Sequence, residues 1–397
     1  MKKIDLAKKN KCTGCLVCVD VCSKQAISVV MASDGHRYPK INTDICVGCG
    51  ACIKKCPVTN SFNYASDFES RPFLAWANDD NLRLKSSSGG IFASLAYRVL
   101  QHKGYVVGCA MDGMQAKHII IDSVDELPQL QGSKYLQSNT AGIYRQTKQI
   151  LDNGSIVLFS GTRCQVAALL SYLPKFYHNL ITVDLVCNGV PSNNLLKYYT
   201  DFRAIKSFRD KSQGWKHGYR LTLVNKSGAE ISNYEDADMQ ENGFLQGLTN
   251  RYSCYNCLFA KMHSKSDITL MDFWGEKDYP QQHFKGVSCV IVNSNKGMDI
   301  LQKSDMTLIE STWEKCLPYN PRIAIGYKPL FASSLERVLL SFAFNHFSKS
   351  TIKRIYVSTY RGYNPLWLFL RLVKKVRYTL FDLYLQREIK KILLNLK

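Results

Sequence analysis

Cys12, Cys15, Cys18 and Cys22 form a C-x2-C-x2-C-x3-C run, and Cys46, Cys49, Cys52 and Cys56 repeat it, closing on Pro57. No other feature of the 397 residues constrains the fold as tightly. Three thiolates two residues apart wrap a tight loop around a 4Fe-4S cube, with backbone N–H groups aimed at the sulfurs. A fourth cysteine beyond the turn cannot easily reach the same cube, so each run lends its last ligand to the other cluster. One cluster is expected on Cys12, Cys15, Cys18 and Cys56, the second on Cys46, Cys49, Cys52 and Cys22. Structural zinc favours two separated C-x2-C pairs over triplets. The N-terminus, MKKIDLAKKNKCTGC, has no apolar signal-peptide core, and the apolar run Pro365–Leu370 stops at Arg371. A cytoplasmic, reducing location is expected, where clustered cysteines are metal ligands or redox groups.

The net charge of +20 is uneven: residues 1–60 carry +6 and residues 349–397 carry +10, leaving +4 between. A basic balance confined to the two ends does not suit a nucleic-acid protein, and no nucleic-acid partner is expected. Two cubes of about −2 each leave the N-terminal segment mildly basic, fit to dock an acidic electron carrier such as a ferredoxin. In the tail, Leu366, Phe369, Leu370, Val373, Val376, Leu380, Leu385, Ile389, Ile392 and Leu393 alternate with basic residues at roughly helical spacing. Two readings stand: terminal helices packed on the body, or a basic amphipathic helix at the inner face of a membrane.

Between the cysteine runs, 26–31 and 36–41 flank Asp34-Gly35, which reads as a hairpin. The whole segment resembles a bacterial two-cluster ferredoxin, with Ser23 standing where a proline usually follows the fourth cysteine. From Asp67 the pattern becomes α/β. A helix over 90–102 is followed by a strand at 105–110, and strand cores lie at 119–121, 156–160 and 181–186. A helix is expected over 165–173 and a hairpin over 219–234. No G-x-G-x-x-G occurs, so a nicotinamide-binding Rossmann turn is not indicated.

Several strings stand in a telling order: Ser86-Ser87-Ser88-Gly89-Gly90, Gly132-Ser133-Lys134-Tyr135, Gly161-Thr162-Arg163-Cys164-Gln165, and 184–192 with Cys187-Asn188-Gly189. Cys254-x2-Cys257, Asp267-Ile268-Thr269, Asp272-Phe273-Trp274-Gly275 and Lys285-Gly286-Val287-Ser288 follow. Over about residues 1–330 they resemble the beta subunits of coenzyme F-420 hydrogenases and dehydrogenases, to which chlorophyll-pathway reductases are related. The resemblance implies FAD, iron–sulfur relays, and hydride exchange between flavin and an organic partner. It places the flavin near Ser86, Ser87, Ser88, Gly89 and Gly90, near Gly132, Ser133, Lys134 and Tyr135, and near Thr162, Asn188, Asp272, Phe273 and Trp274. The serine string precedes a helix, where hydroxyls and free N–H groups suit a pyrophosphate; an N-cap and tight turn is the plainer alternative. Met271 stands where the family favours glycine. The resemblance also implies a third 4Fe-4S cluster on Cys164, Cys187, Cys254 and Cys257, with zinc or reduced structural thiols as alternatives. Cys109, Cys289 and Cys316 lie in apolar runs and read as inert core residues. The eight histidines form no metal pair, and His217 reads as solvated.

The expected architecture is an α+β ferredoxin-like domain with two 4Fe-4S clusters (1–62), an α/β flavin-binding domain (67–329) and a basic, mostly helical C-terminal extension (330–397). The expected function is an iron–sulfur flavoprotein oxidoreductase passing electrons from a carrier to FAD and on to a small organic acceptor, or in reverse from a reduced deazaflavin. Its rivals are an electron-transfer subunit without a substrate site and an accessory protein in cell-envelope polysaccharide biosynthesis. No catalytic residue is assigned.

Overall fold

The computed structural model describes residues 4–60, 64, 68–234, 240, 243–244, 247, 249–275, 278–325, 342, 346–348, 350–351 and 383–395. The alternating apolar residues around Asp34-Gly35 pair as an antiparallel hairpin, β1 (Ile27–Met31) with β2 (Arg37–Ile41), in register from Ile27 opposite Ile41. Two short helices, Val17–Val21 and Ala51–Lys54, follow the two cysteine loops and complete a small layer around Cys18, Ile27 and Cys52.

The body is an eight-stranded mixed sheet. Its strands are β3 (Arg71–Ala77), β4 (Tyr105–Asp112), β5 (Gln115–Ile121), β6 (Val157–Thr162) and β7 (Leu180–Leu185), with three more described below. A separate antiparallel sheet is made of β8 (Phe202–Arg209), β9 (Tyr219–Asn225) and β10 (Glu230–Tyr234). The last three strands of the large sheet are β11 (Ile268–Asp272), β12 (Ser288–Val292) and β13 (Met306–Glu310). Their order is β13-β3-β12-β11-β7-β6-β4-β5, with β4, β6, β7 and β11 parallel at the centre. A central parallel strand is buried on both faces, so it reads as a continuous apolar run. In β6, Leu158 faces a core with Ile91, Leu95 and Val99, while Val157 and Phe159 face the opposite core with Val166 and Leu169. Period-2 alternation thus assigns helix Ile91–Gln101 to one side of the sheet and helix Arg163–Tyr172 to the other.

The N-terminal segment is fastened to the body. Asp20, on the ferredoxin-like side, is only 4% exposed; its carboxylate accepts from the backbone N–H groups of Gly142 (2.5 Å), Tyr144 (2.9 Å) and Arg145 (3.1 Å). It thereby caps helix Ile143–Asp152, whose own N-cap is Gly142 and has no side chain to do so. Thr140 and Tyr144 hydroxyls donate to the Cys15 carbonyl, both at 2.7 Å. At the other end of the chain, helix 383–395 buries Leu385 and Ile389 against Met271, Phe273 and Leu317 of the body. Of the tail, that segment packs on the body. Leu366, Phe369, Leu370, Val373, Val376 and Leu380 lie outside the described residues. Among the described residues, no helix is long and apolar enough to cross a membrane.

Candidate electron-transfer and flavin site

The cysteines fall into three groups in space. The loop carrying Cys12, Cys15 and Cys18 turns through left-handed Gly14 (φ 69°) and Leu16 (φ 60°). Burial pushes the Cys15 thiol up to about 12 and Cys18 higher still, and the neighbouring thiols Cys12 and Cys56 add to both. Cys22, Cys46, Cys49 and Cys52 instead line one small cavity beneath Ile27 and Ile41. The ends of the two runs are therefore exchanged. A third cavity gathers Cys164, from the start of helix Arg163–Tyr172, Cys187, from the loop after β7, and Cys254 and Cys257. Four thiols around one void are the donor set a 4Fe-4S cube takes, and buried N–H groups without a partner on Arg251 and Arg322 lie beside the first and third groups.

Thr13 borders both the third cavity and a larger cleft of about 300 Å³. Cys164 and Cys187 also border both. The cleft lies at the carboxyl ends of β6, β7 and β11, where open α/β sheets bind ligands. Its floor is Ser160, Gly161 and Thr162; Asn188 and Asp272 come from the ends of the next strands. Across from them stand Ser86, Ser87, Ser88 and Gly90, then Gly132, Ser133, Lys134 and Tyr135.

The serine loop is held rigidly from outside. Ser86 Oγ donates to Leu82 O (2.7 Å) and Ser88 Oγ to Val287 O (3.0 Å), so both are committed to the backbone. Ser87 Oγ accepts from Ser133 N (2.6 Å) and lies 2.8 Å from the Ser133 hydroxyl, joining the two loops at the cleft. Lys211 Nζ donates to the carbonyls of Arg83 (2.6 Å), Ser88 (2.5 Å) and Lys285 (2.6 Å). Burial first, then the Arg83 and Arg209 charges, bring this ammonium down to about 7. Trp215 Nε1 donates to Ser87 O (2.9 Å). A Cβ on Gly132 (φ 81°) would meet nothing within 4 Å, so backbone is open to a ligand there. These features fit a flavin's pyrophosphate.

Three residues assigned to the flavin lie elsewhere. Gly89 packs against the sheet, where a Cβ would collide with the Ala75 carbonyl. Phe273 is fully buried in the core with Tyr319, because a side chain one position past Asp272 points to the opposite face. Trp274 lies behind the cleft, tilted against Trp215 with centroids 4.3 Å apart and stacked on Tyr219. Cys109, read as a core residue, lines the cleft, whereas Cys289 and Cys316 are core residues with sulfurs 2.8 Å apart. His217 is exposed.

The cleft also holds residues that no motif announces. His118 on β5 is 6% exposed; its Nε2–H donates to Ser160 O (3.1 Å), leaving Nδ1 to accept from the Ser138 hydroxyl (2.7 Å). Burial brings the ring down to about 4, so it is neutral at pH 7. Lys134 donates to the carbonyls of Gln129 and Gln131, and burial brings it down to about 8. Arg209 is buried; burial works against its charge, but the Asp272 carboxylate at 2.9 Å holds it protonated. Tyr219 and Tyr135 flank it as an aromatic wall, with Tyr135 stacked on Phe244 at 4.5 Å. Strand alternation in 115–121, with Ala116 and His118 turned inward, is the one signal that marks His118.

Residues 154–312 match the C-terminal part of the coenzyme F420 hydrogenase/dehydrogenase beta subunit, and residues 73–144 match its N-terminal part. The chain belongs to the family of coenzyme F-420 hydrogenase/dehydrogenase beta subunits. Residues 11–60 match a 4Fe-4S dicluster domain, so this family member carries an iron–sulfur module ahead of its body. It is 24% identical over 179 residues to the F subunit of the F(420)H(2) dehydrogenase of Methanosarcina mazei, covering 42% of this chain and 50% of that protein. It is 43% identical over 44 residues to the ferredoxin-type protein NapF of Haemophilus influenzae, covering 11% of this chain and 25% of that protein. The chain thus spans half the length of the first relative and a quarter of the second. A polypeptide from the F420-reducing NiFe hydrogenase complex of Methanosarcina barkeri superposes with a TM-score of 0.42 at 15% identity, over 73% of this chain and 93% of that one.

Proposed function

We propose that this relative of the beta subunits is an iron–sulfur flavoprotein oxidoreductase of a reducing compartment. It takes single electrons from an acidic carrier of the ferredoxin class and delivers them in pairs to a small organic acceptor, or runs in reverse from a reduced deazaflavin. The observation that carries this reading is the shared border: Cys164 and Cys187 face a cysteine-lined cavity on one side and the cleft on the other. Bound clusters supply one-electron steps and bound FAD supplies the two-electron step with hydride exchange. Cys12, Cys15, Cys18 and Cys56 would hold one N-terminal cluster, Cys22, Cys46, Cys49 and Cys52 the other, and Cys164, Cys187, Cys254 and Cys257 the third.

The chain's own groups divide the remaining work. Ser87, Ser133 and the open backbone at Gly132 receive a phosphate, while Lys211 and Trp215 keep their loop from yielding. Tyr135 and Tyr219 offer flat faces to an aromatic ring system. Neutral His118 orients Ser138, whose hydroxyl stands in the cleft wall.

Anaerobic purification with iron, sulfide and flavin quantified per chain tests the scheme. About twelve irons and one FAD are expected, since three four-iron cubes are assigned. Eight irons would remove the third cluster, and a flavin-free preparation would leave an electron-transfer component. Cys254→Ser should cost one cube and stop flavin reduction by ferredoxin while both N-terminal cubes persist.

A further inference from the structure

Among the described residues, four buried arginines, Arg37, Arg83, Arg251 and Arg322, have no carboxylate at ion-pair distance. Arg37 and Arg83 are answered by carbonyl and amide oxygens, whereas Arg251 and Arg322 each keep a nitrogen with no acceptor. Arg251 is fully buried; its Nε donates to Cys12 O (2.6 Å), its Nη1 to Arg37 O (2.9 Å), and its guanidinium lies over the Tyr38 ring at 3.9 Å. Its Nη2 is buried with no hydrogen-bond partner. Arg322 is 5% exposed and lines the third cysteine cavity; its Nη2 donates to Cys254 O (2.7 Å), and its Nη1 is buried without a partner. Among the described residues, neither has a carboxylate at ion-pair distance. The contrast within the same chain is plain: buried Arg163 pairs with Asp184 at 3.3 Å and buried Arg209 with Asp272 at 2.9 Å.

An arginine cannot discharge itself by losing its proton, so a buried one that has neither a carboxylate nor an acceptor for every N–H calls for an anion. Both arginines reach the backbone of a cluster-ligand cysteine and keep one N–H aimed at no protein acceptor. A 4Fe-4S cube with four thiolates carries about −2 when oxidised and about −3 when reduced. A fixed positive charge beside it favours the more negative state and so raises its potential. The second N-terminal group, Cys22, Cys46, Cys49 and Cys52, has no buried arginine beside it among the described residues: the cations that share its cavities, Lys24 and, at Cys22, Lys55, Arg145 and Lys148, are exposed or half-buried.

We propose that Arg251 and Arg322 are fixed counter-cations, the first for the cluster on Cys12, Cys15, Cys18 and Cys56, the second for the cluster on Cys164, Cys187, Cys254 and Cys257. They are positioning residues of the electron path. Their charges place these two clusters above the one on Cys22, Cys46, Cys49 and Cys52 in potential. Electrons entering at that outer cluster, where Cys49 is exposed, run downhill toward the cleft. This inference rests on the cluster assignment proposed above.

Anaerobic redox titration of the full chain, followed by electron paramagnetic resonance, reads each cluster's potential directly. Arg251→Gln and Arg322→Gln should each make reduction of the adjacent cluster at least tenfold less favourable, about 59 mV more negative for a one-electron couple, and leave the outer cluster unmoved. Lysine at either position keeps the charge and should return most of the shift. A glutamine variant with full iron content and an unmoved potential overturns the inference. So does loss of the cluster in both the glutamine and the lysine variants, which would mark the arginine as a brace for the loop. Retention in lysine alone supports the charge. A wild-type chain without iron overturns the cluster assignment itself, and is recognised by metal analysis before any potential is measured.

Discussion

His118 and His36 are two histidines that the fold keeps neutral. Both are brought down to about 4, in each case first by burial, against an ordinary value of 6.5. The Arg251 charge adds to the effect at His36. The folded state then binds fewer protons than the unfolded chain between those values, so stability is full above pH 6.5 and falls as pH drops toward 4. Each histidine contributes up to about 1.4 kcal/mol per pH unit across that window. Urea unfolding at several pH values should show this slope, and His118→Asn should flatten it without changing stability's dependence above pH 7. At the cysteine loop, Gly14→Ala drives a Cβ into Gln137 Nε2 and to 2.8 Å from Arg251 Nη1, at a φ of 69°. That variant should lose about one cube per chain, read as iron content, while the cluster on Cys46, Cys49 and Cys52 survives. The eight N-terminal cysteines are legible in the sequence because their chemistry is written in short spacings. His118 and Arg251 are not, because what gives them meaning is distant: Arg251 meets Cys12 across 239 positions of chain.

The serine loop shows how neighbouring elements make a site that a motif only hints at. Lys285-Gly286-Val287-Ser288 stands behind the serine loop as a buttress: Gly286 O accepts from Arg83, Val287 O from Ser88, and Ser288 Oγ from Gly89 N. Lys211 ties the same loop through three carbonyls. Lys211→Met leaves those acceptors without their donor, each at a cost of about 1–3 kcal/mol if it stays dry. The expected outcome is a lower urea midpoint and flavin lost on gel filtration, with the visible absorption of the iron–sulfur clusters unchanged. Elements with clean periodicity are readable: the hairpin around Asp34-Gly35, helix Ile91–Gln101, the buried strand β6 and the β9–β10 pair all lie where their patterns put them. Strand β8 is hidden because bulges at Phe202–Arg209 break its alternation. Strands β3 and β12 are short apolar runs that periodicity alone does not separate from helix.

Across the whole molecule, three cysteine groups and the cleft succeed one another. Cys52 lies near enough to Cys18, and Cys15 near enough to Cys164, to raise that thiol electrostatically, which orders the groups from the second N-terminal one through the first to the third. The C-terminal helix 383–395 closes the core beneath β11 and β12 through Leu385 and Ile389. Leu385→Ala or Ile389→Ala should each cost at least about 2 kcal/mol in urea unfolding, as large-to-small core changes do. Asp20 has a further bearing at this scale. Because one carboxylate from the N-terminal module caps the first turn of a helix of the body, the module is tied to the body at that point. In the proposed scheme the distances between cofactors would then be set once, at folding, and a diffusing donor would come to a stationary receiver instead of meeting a moving arm.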